Sequence, residues 1–210
     1  MIHLDILDEE RKKILPLLSK IKQLNFYLAG GTALALQLGH RDSIDFDFFR
    51  EGSFDTKEFF KSLSEIFSGY KINLTQDEED TLSLELNEAI KFSFFRYNYP
   101  LINELNKELE FFPLASITDI GCMKLAAIRD RAVLKDYVDL YYILKNIDLI
   151  TLIEAVKNKY PSIDPNIFLK GMTYTDDVLL EKVDFKKGYE IDLKTINNFL
   201  NQKVKQYYLN

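Results

Sequence analysis

Five segments in the first half of the chain concentrate or alternate apolar residues in the manner of β-strands: 26–29, 44–48, 70–74, 82–86 and 90–94. The last three follow one another through short turns, which predicts an antiparallel meander. In the second segment, Phe46 and Phe48 alternate with Asp45 and Asp47. One face of that strand should therefore pack, while the other presents two carboxylates.

Apolar residues at helical spacing predict helices around and after these strands, over residues 8–24, 33–38, 55–67, 118–132, 135–144, 149–159 and 192–208, with a shorter one beginning near residue 165. Pro16 should kink or split the first helix. Thr32 should cap the second helix before Gly39 ends it, and Thr118 should cap the fourth. Because the period is helical throughout after residue 112, we expect an α+β chain with two domains, a strand-containing domain over 1–112 and a helical bundle domain over 113–210.

Composition narrows the class of protein. A chain of 210 residues with 47% hydrophobic content can bury a core, and one cysteine excludes an internal disulfide framework. Two histidines disfavour a zinc site, so a metal should be a hard cation such as Mg²⁺ or Mn²⁺ held by carboxylates. The acidic start and the lack of a run near ~18 apolar residues favour a cytoplasmic protein without a membrane partner.

The net charge of −6 argues against a protein that coats nucleic acid through a generally basic surface. It leaves room for a local basic groove.

The stretch 26–49 carries the candidate chemistry. Gly30, Gly31 and Thr32 follow a predicted strand and begin a predicted helix, an arrangement in which backbone N–H groups can approach a triphosphate. Asp45 and Asp47 lie close enough on one strand face to share metal ions. Each piece has an ordinary alternative, since Gly-Gly-Thr is common in turns and Asp-x-Asp is often a solvated strand face. Their order along the chain favours nucleotidyl transfer.

The segment GGTALALQLGHRDSIDFDFF resembles the signature of the DNA polymerase β-type nucleotidyltransferases, and more specifically that of the AbiEii/AbiGii toxin family. That family shows Gly-Gly-Thr, a helix, Gly-His-Arg-x-Ser and Asp-x-Asp. Here they stand at Gly30, Gly31, Thr32, Gly39, His40, Arg41, Ser43, Asp45 and Asp47. A second segment, CMKLAAIRDRAVLKDYVDLYYIL, is similar to the family's later motif through Lys124, Arg131, Asp136 and Asp139.

This resemblance implies a polymerase β-type nucleotidyltransferase domain followed by a helical bundle. It implies that the chain moves NMP from an NTP to an acceptor hydroxyl, of tRNA or another RNA, as the toxin of a toxin–antitoxin or phage-defence pair with a cognate antitoxin. The implied catalytic residues are Asp45, Asp47, Lys124 and Asp139, of which Asp45 and Asp47 bind Mg²⁺ or Mn²⁺. The implied nucleotide-binding residues are Gly30, Gly31, Thr32, Arg41, Ser43, Arg131 and Asp136.

The second motif has two interpretations. On one continuous helix, Lys124, Arg131 and Asp139 would share a face with Lys135 and could close over a triphosphate. Alternatively, the helix is solvated and basic, with Asp136 and Asp139 as caps or ion-pair partners. For the first motif, Arg41 could grip phosphate or pair with Asp42 or Asp45, and His40 fits a structural role better than that of a general base.

One departure from the superfamily bears on activity. Polymerase β-type transferases carry a third carboxylate on a later strand, where this chain has Ser93. Glu85 on the preceding strand is the candidate substitute. This departure keeps two alternatives open: a catalytically degenerate nucleotide- or RNA-binding protein of the same fold, and a transferase acting on a small molecule or a protein.

Overall fold

The computed structural model describes residues 1–209, which hold five strands and eight α-helices after a short 3-10 turn at Leu4–Ile6. The strands are β1 Tyr27–Ala29, β2 Phe46–Arg50, β3 Ile72–Glu78, β4 Thr81–Leu86 and β5 Ile90–Arg96. The helices are α1 Glu9–Lys22, α2 Gly30–Leu38, α3 Thr56–Ile66, α4 Ile117–Arg131, α5 Leu134–Asn146, α6 Leu149–Lys159, α7 Pro165–Thr173 and α8 Leu193–Leu209.

The strands form one mixed sheet in the order β1-β2-β5-β4-β3. Strand β2 runs antiparallel to β1 and parallel to β5, whereas β3, β4 and β5 form the predicted antiparallel meander. The strand predicted over 44–48 begins two residues later, at Phe46. Ile44 is 51% exposed, and the carbonyl of Asp45 accepts a hydrogen bond from the Thr32 hydroxyl. The mixed sheet with flanking helices confirms the predicted α+β class.

The two faces of the sheet differ sharply. On one face the rings of Phe46 and Phe92, and of Phe48 and Phe94, stack as register partners with centroids 5.1 Å and 5.4 Å apart. All four side chains are buried, and each large apolar side chain removed from water contributes roughly 1.5–3 kcal/mol. The opposite face carries the side chains that alternate with them, including Asp47 and Ser93, and we call it the carboxylate face.

The chain divides into two compact units. The first comprises Met1–Gln37, Ser43–Pro100 and Leu105–Ala115, and the second Leu38–Asp42, Leu101–Glu104 and Ser116–Asn210. Two short segments therefore belong to the helical unit although they precede it in sequence. That the chain folds as two domains with a boundary at residue 112 stays a prediction.

In the helical unit, α4 packs against α5, α6 and α7, and α8 packs against α5 and α7. Ser116 caps α4, since its hydroxyl accepts the Asp119 N–H at 2.9 Å, so the prediction that Thr118 caps this helix is wrong. Asp119, which is buried, accepts backbone N–H groups from Ile102 and Asn103 and binds Lys159 at 2.8 Å. These bonds hold the segment Leu101–Glu104 within this unit.

The continuous helix considered for the second motif does not form. Ala132 has a left-handed backbone with φ 31° and separates α4 from α5. The backbone at this break bonds instead to Leu179, whose N–H donates to Ala132 at 2.9 Å and whose carbonyl accepts from Leu134 at 3.1 Å. By contrast, α1 continues through Pro16 without the predicted split.

Candidate functional site

Gly30 lies beside Asp47 at the start of α2. Strands β1 and β2 pair Ala29 with Asp47, which brings the next residue, Gly30, next to the aspartate. Gly30 has φ +68°, and a methyl group added to it would lie 3.0 Å from Asp47 Oδ2. Both the backbone conformation and the close carboxylate therefore require glycine. The first N–H groups of α2, which lack partners within the helix, begin at this point.

The two carboxylates follow one another at alternate positions. Asp45 is exposed just before β2, and Asp47 is half-buried within it. Such i, i+2 residues project to the same side of an extended chain. Two oxygen-rich side chains on one rigid strand are the donor type that Mg²⁺ and Mn²⁺ prefer.

Thr32 fixes the chain that leads into these carboxylates. Its buried hydroxyl lies 2.8 Å from Ser43 Oγ and donates to the carbonyl of Asp45. The prediction that Thr32 caps α2 is wrong, because the helix begins two residues earlier, at Gly30. The first motif therefore brings Gly30, Thr32, Ser43, Asp45 and Asp47 together, with Thr32 and Ser43 holding the backbone.

Ser93 is the register partner of Asp47 across β2 and β5. The next residue across the sheet on this face is Ser83 of β4. Glu85 pairs instead with Lys91, and the Lys91 Nζ lies 3.8 Å from its carboxylate. Because neighbouring strands are about 4.8 Å apart, Glu85 stands roughly 10 Å across the sheet from β2. The geometry gives no support to Glu85 as the missing carboxylate.

A buried charge cluster in the helical unit contains the residues of the second motif. Asp139, fully buried on α5, accepts hydrogen bonds from Arg41 Nε at 2.7 Å and Nη2 at 2.8 Å. His40 Nε2 lies 2.8 Å from Asp139 Oδ1, and Lys124 Nζ lies 2.6 Å from Oδ2. We call this group, with Asp136 and Arg131, the Asp139 cluster.

Asp136 forms the second centre of the cluster. Lys124 Nζ lies 2.7 Å from its Oδ1, so this ammonium binds both buried carboxylates. Arg131 donates from Nε to Asp136 Oδ2 at 3.1 Å, yet its side chain is 57% exposed. The interpretation of this motif as a solvated basic helix is wrong for Lys124, which is buried. Asp136 and Asp139 are each ion-pair partners of basic side chains, as that interpretation also expected.

The charge states follow from these contacts. Burial alone would raise the pKa of Asp139, but Arg41 and Lys124 outweigh it and hold that pKa well below its usual value. Burial likewise opposes charge on Arg41, but Asp139 raises its pKa. Burial lowers the pKa of His40, despite the hydrogen bond to Asp139. The ring is therefore neutral and donates through Nε2, while its buried Nδ1 has no hydrogen-bond partner among residues 1–209.

The partners of Arg41 and Lys135 differ from those expected. Arg41 binds Asp139, and of Asp42 it contacts the carbonyl oxygen, at 3.0 Å. Lys135 pairs with Glu181 at 3.3 Å. Neither partner was predictable from spacing, since Arg41 and Asp139 lie 98 positions apart in sequence.

A segment near residue 185, which carries no recognised motif, holds Arg41 from its other side. The Asp42 N–H donates to the Asp184 carbonyl at 2.8 Å, and the Lys186 N–H donates to the His40 carbonyl at 3.1 Å. Between these two hydrogen bonds, the backbones of Arg41 and Phe185 form an isolated antiparallel bridge. Sequence reasoning missed this contact because two bridging residues leave no readable periodicity.

Among residues 1–209, no group of three or more His, Cys, Asp or Glu side chains is arranged to hold a metal ion. Two carboxylates remain a fitting set for Mg²⁺, which is often bound through one or two of them together with substrate phosphates.

No helix within residues 1–209 is both long and apolar enough to cross a membrane.

Comparison with known proteins agrees with this fold. The profile of the family described as "Nucleotidyl transferase AbiEii toxin, Type IV TA system" matches residues 17–208. An uncharacterised protein of Aquifex aeolicus, aq_aa25, is 38% identical over 189 residues, which cover 87% of this chain and 88% of that protein.

Solved structures share the architecture. The nucleotidyltransferase toxin MenT4 of Mycobacterium tuberculosis superposes with a TM-score of 0.63 at 17% identity, over 93% of this chain and 80% of its own. JHP933 of Helicobacter pylori superposes with a TM-score of 0.56 at 20% identity, over 98% and 93% of the two chains. At these identities the likeness shows the fold, while the profile match spans most of the sequence. The chain belongs to the AbiEii family of nucleotidyltransferase toxins.

Proposed function

We propose that this protein transfers a nucleoside monophosphate from an NTP to an acceptor hydroxyl of RNA, with tRNA as the first acceptor to test. In this step the acceptor oxygen bonds to the α-phosphorus, the bond between the α- and β-phosphates breaks, pyrophosphate leaves, and the hydroxyl proton passes to water. The observation that carries the proposal is the approach of Gly30 to Asp47 at the N-terminus of α2. A glycine turn, a helix N-terminus and two carboxylates there provide what a metal–triphosphate substrate needs.

The residues divide the work as follows. The first N–H groups of α2 bind phosphate oxygens, favoured by the positive end of the helix. Asp45 and Asp47 hold Mg²⁺ or Mn²⁺, which when bound neutralises triphosphate charge and orients the reacting phosphate. Thr32 and Ser43 position Asp45 through its backbone.

Within the Asp139 cluster, Arg131 has an exposed side chain. The nucleotide-binding role that the family resemblance implies for Arg131 and Asp136 stays a prediction. The direct catalytic role that the family resemblance implies for Lys124 and Asp139 stays a prediction. Their contacts with each other and with Arg41 and Asp136 also support a positioning role.

The test is incorporation of α-labelled NTP into total tRNA in the presence of Mg²⁺ or Mn²⁺. Wild type should label RNA, and Asp45→Asn or Asp47→Asn should lose at least about 100-fold in rate, since each removes a metal ligand. Asp77→Asn is the matched control, because Asp77 is an exposed aspartate on β3. Equal labelling by all four proteins would reject the assigned chemistry.

A second candidate function is favoured by the pairing of Ser93 with Asp47. Without a third carboxylate, the site could hold nucleotide or RNA and turn over little. Calorimetry that detects metal-dependent NTP binding, together with the absence of any labelled RNA, would favour this binding protein over the transferase.

The toxin role carries a cellular counterpart. Induced expression of the wild-type chain should arrest growth, and co-expression of a cognate antitoxin should restore it. Cells that express Asp47→Asn should grow normally if the arrest depends on the transfer reaction.

A further inference from the structure

A pair of aromatic rings lies beside Asp47 on the carboxylate face. Phe49 follows Asp47 by two positions on β2, and Phe95 follows Ser93 by two positions on β5. Phe49 and Phe95 are themselves register partners, with ring centroids 5.3 Å apart. Each is half-buried, unlike the fully buried rings of the opposite face.

Further rings extend this pair into a row. The Tyr27 ring stacks on Phe49 with centroids 6.3 Å apart, and Tyr97 meets Phe49 edge-on at 5.6 Å. Tyr99 lies 5.1 Å from Tyr97 and is 41% exposed. Because Tyr27 is itself buried, we call the four partly exposed rings, Phe49, Phe95, Tyr97 and Tyr99, the aromatic row.

The row is not needed to build the main core of this unit. That core lies on the other face, where Phe46, Phe48, Phe92 and Phe94 are buried. Partly exposed rings side by side on a sheet face are a surface on which flat π-systems stack, as nucleic-acid bases do on sheet aromatics. The polar residues in register with Asp47 on this face, Ser93 of β5 and Ser83 of β4, are small.

We propose that the aromatic row binds unpaired bases at the end of the acceptor RNA by stacking. The inference rests on the proposed transfer reaction and gives its acceptor a place. Two residues of extended strand span roughly 6.7 Å, so the register pair Phe49 and Phe95 lies about that far along the strands from Asp47. Rings at successive positions suit several consecutive bases better than the single base of an NTP.

Charge on this face favours stacking over phosphate attraction as the source of affinity. Lys91, which β5 places on this face, lies 3.8 Å from the Glu85 carboxylate. Arg96 alternates with Phe95, so it projects from the other face, and it binds Asp80 at 3.0 Å. Binding at the row should therefore depend weakly on salt, in contrast to binding through many phosphate contacts.

The experiment measures binding of a fluorescent oligoadenylate of about eight ribonucleotides. Phe95→Leu keeps apolar volume but removes the ring and should weaken binding roughly tenfold. Phe95→Trp should retain it. The matched control is Phe60→Leu, which removes a half-buried phenylalanine from α3. Thermal melting by circular dichroism establishes that each variant is folded.

Two further probes separate the sources of affinity. An abasic oligomer of the same length should bind poorly, because it keeps the phosphates and lacks the bases. The affinity for ATP with Mg²⁺ should be the same in Phe95→Leu as in wild type. Equal oligoadenylate binding by Phe95→Leu and wild type, or equal binding of the abasic oligomer, would overturn the proposal. A matching loss of ATP affinity would assign the row to the nucleotide instead and also overturn it.

The transfer assay distinguishes this proposal from the one beneath it. If wild type labels RNA while Phe95→Leu binds oligoadenylate normally, base binding by the aromatic row is rejected and the transfer reaction is supported. If Phe95→Leu weakens oligoadenylate binding but wild type forms no labelled product, base binding is supported and the transfer reaction is rejected.

Discussion

Arg41 grips both carboxylate oxygens of Asp139, with Nε 2.7 Å from Oδ1 and Nη2 2.8 Å from Oδ2. Both side chains are buried, and the two residues are 98 positions apart in sequence. A planar guanidinium on a planar carboxylate fixes orientation as well as distance. This pair therefore sets the conformation of the segment Leu38–Asp42 within the helical unit.

Replacement of Asp139 by alanine should lower the free energy of unfolding by about 3–5 kcal/mol, because it leaves Arg41 and Lys124 as buried charges with less compensation. Urea denaturation measures the difference. Asp130→Ala is the control, since Asp130 pairs with Arg129 at 2.6 Å near the surface and its loss should cost at most about 1 kcal/mol. Similar losses from the two substitutions would show that the Asp139 cluster is not a principal source of stability.

The buried His40 predicts a dependence of stability on pH. Its pKa is lowered from 6.5 by burial, so below about pH 6.5 the unfolded chain takes up a proton that the folded chain resists. Unfolding becomes easier as pH falls, by at most about 1.4 kcal/mol per pH unit. Down to about pH 5, aspartates with lowered pKa values, such as Asp139, stay ionised in both states and add little.

His40→Gln tests this prediction, because a glutamine amide can still donate to Asp139 but does not titrate. Melting temperatures measured between about pH 5 and 8 should fall less steeply for the variant than for wild type. Parallel curves for the two proteins would remove His40 as the source of the dependence.

Local patterns were sufficient to predict the five strands, the antiparallel meander and most helices. The alternation around Asp45 and Asp47 located β2, and the helix predicted over 55–67 forms as α3, whose N-cap Asp55 accepts the N–H groups of Lys57 and Glu58. These features depend on neighbours within a few positions, which a sequence displays directly.

The buried partners could not be predicted in the same way. Lys124 and Asp139 belong to separate helices because Ala132 adopts a left-handed conformation, for which alanine gives no sequence signal. Arg41 reaches Asp139 only after the fold brings distant segments together. Spacing therefore identified the charged residues of the second motif but assigned them to one helix face instead of to each other.

Gly30→Ala should abolish transfer and lower stability. A β-carbon at φ +68° costs about 1–2 kcal/mol, and this one would also lie 3.0 Å from Asp47 Oδ2. Gly188→Ala is a matched control, because Gly188 has φ +90° but an added methyl would meet nothing within 4 Å. Urea denaturation should show that both variants lose stability. The NTP-labelling assay should show that only Gly30→Ala loses transfer activity. Normal labelling by Gly30→Ala would mean that the close approach to Asp47 is not required.

The pairing of Ser93 with Asp47 predicts that metal affinity can be raised by one substitution. Ser93→Asp places a third carboxylate beside Asp47 on the adjacent strand, which should tighten Mn²⁺ binding by on the order of tenfold, or about 1.4 kcal/mol. Ser83→Asp adds the same charge one strand further away, so it separates ligation from a general increase in negative potential. Calorimetric titration with Mn²⁺ measures the affinity of both variants.

Because like charges at close range repel, Ser93→Asp without metal should unfold at lower urea concentration than wild type, and saturating Mn²⁺ should restore the midpoint. If the two aspartate variants bind Mn²⁺ equally well, the gain comes from charge alone, and the Ser93 position is not a ligand site.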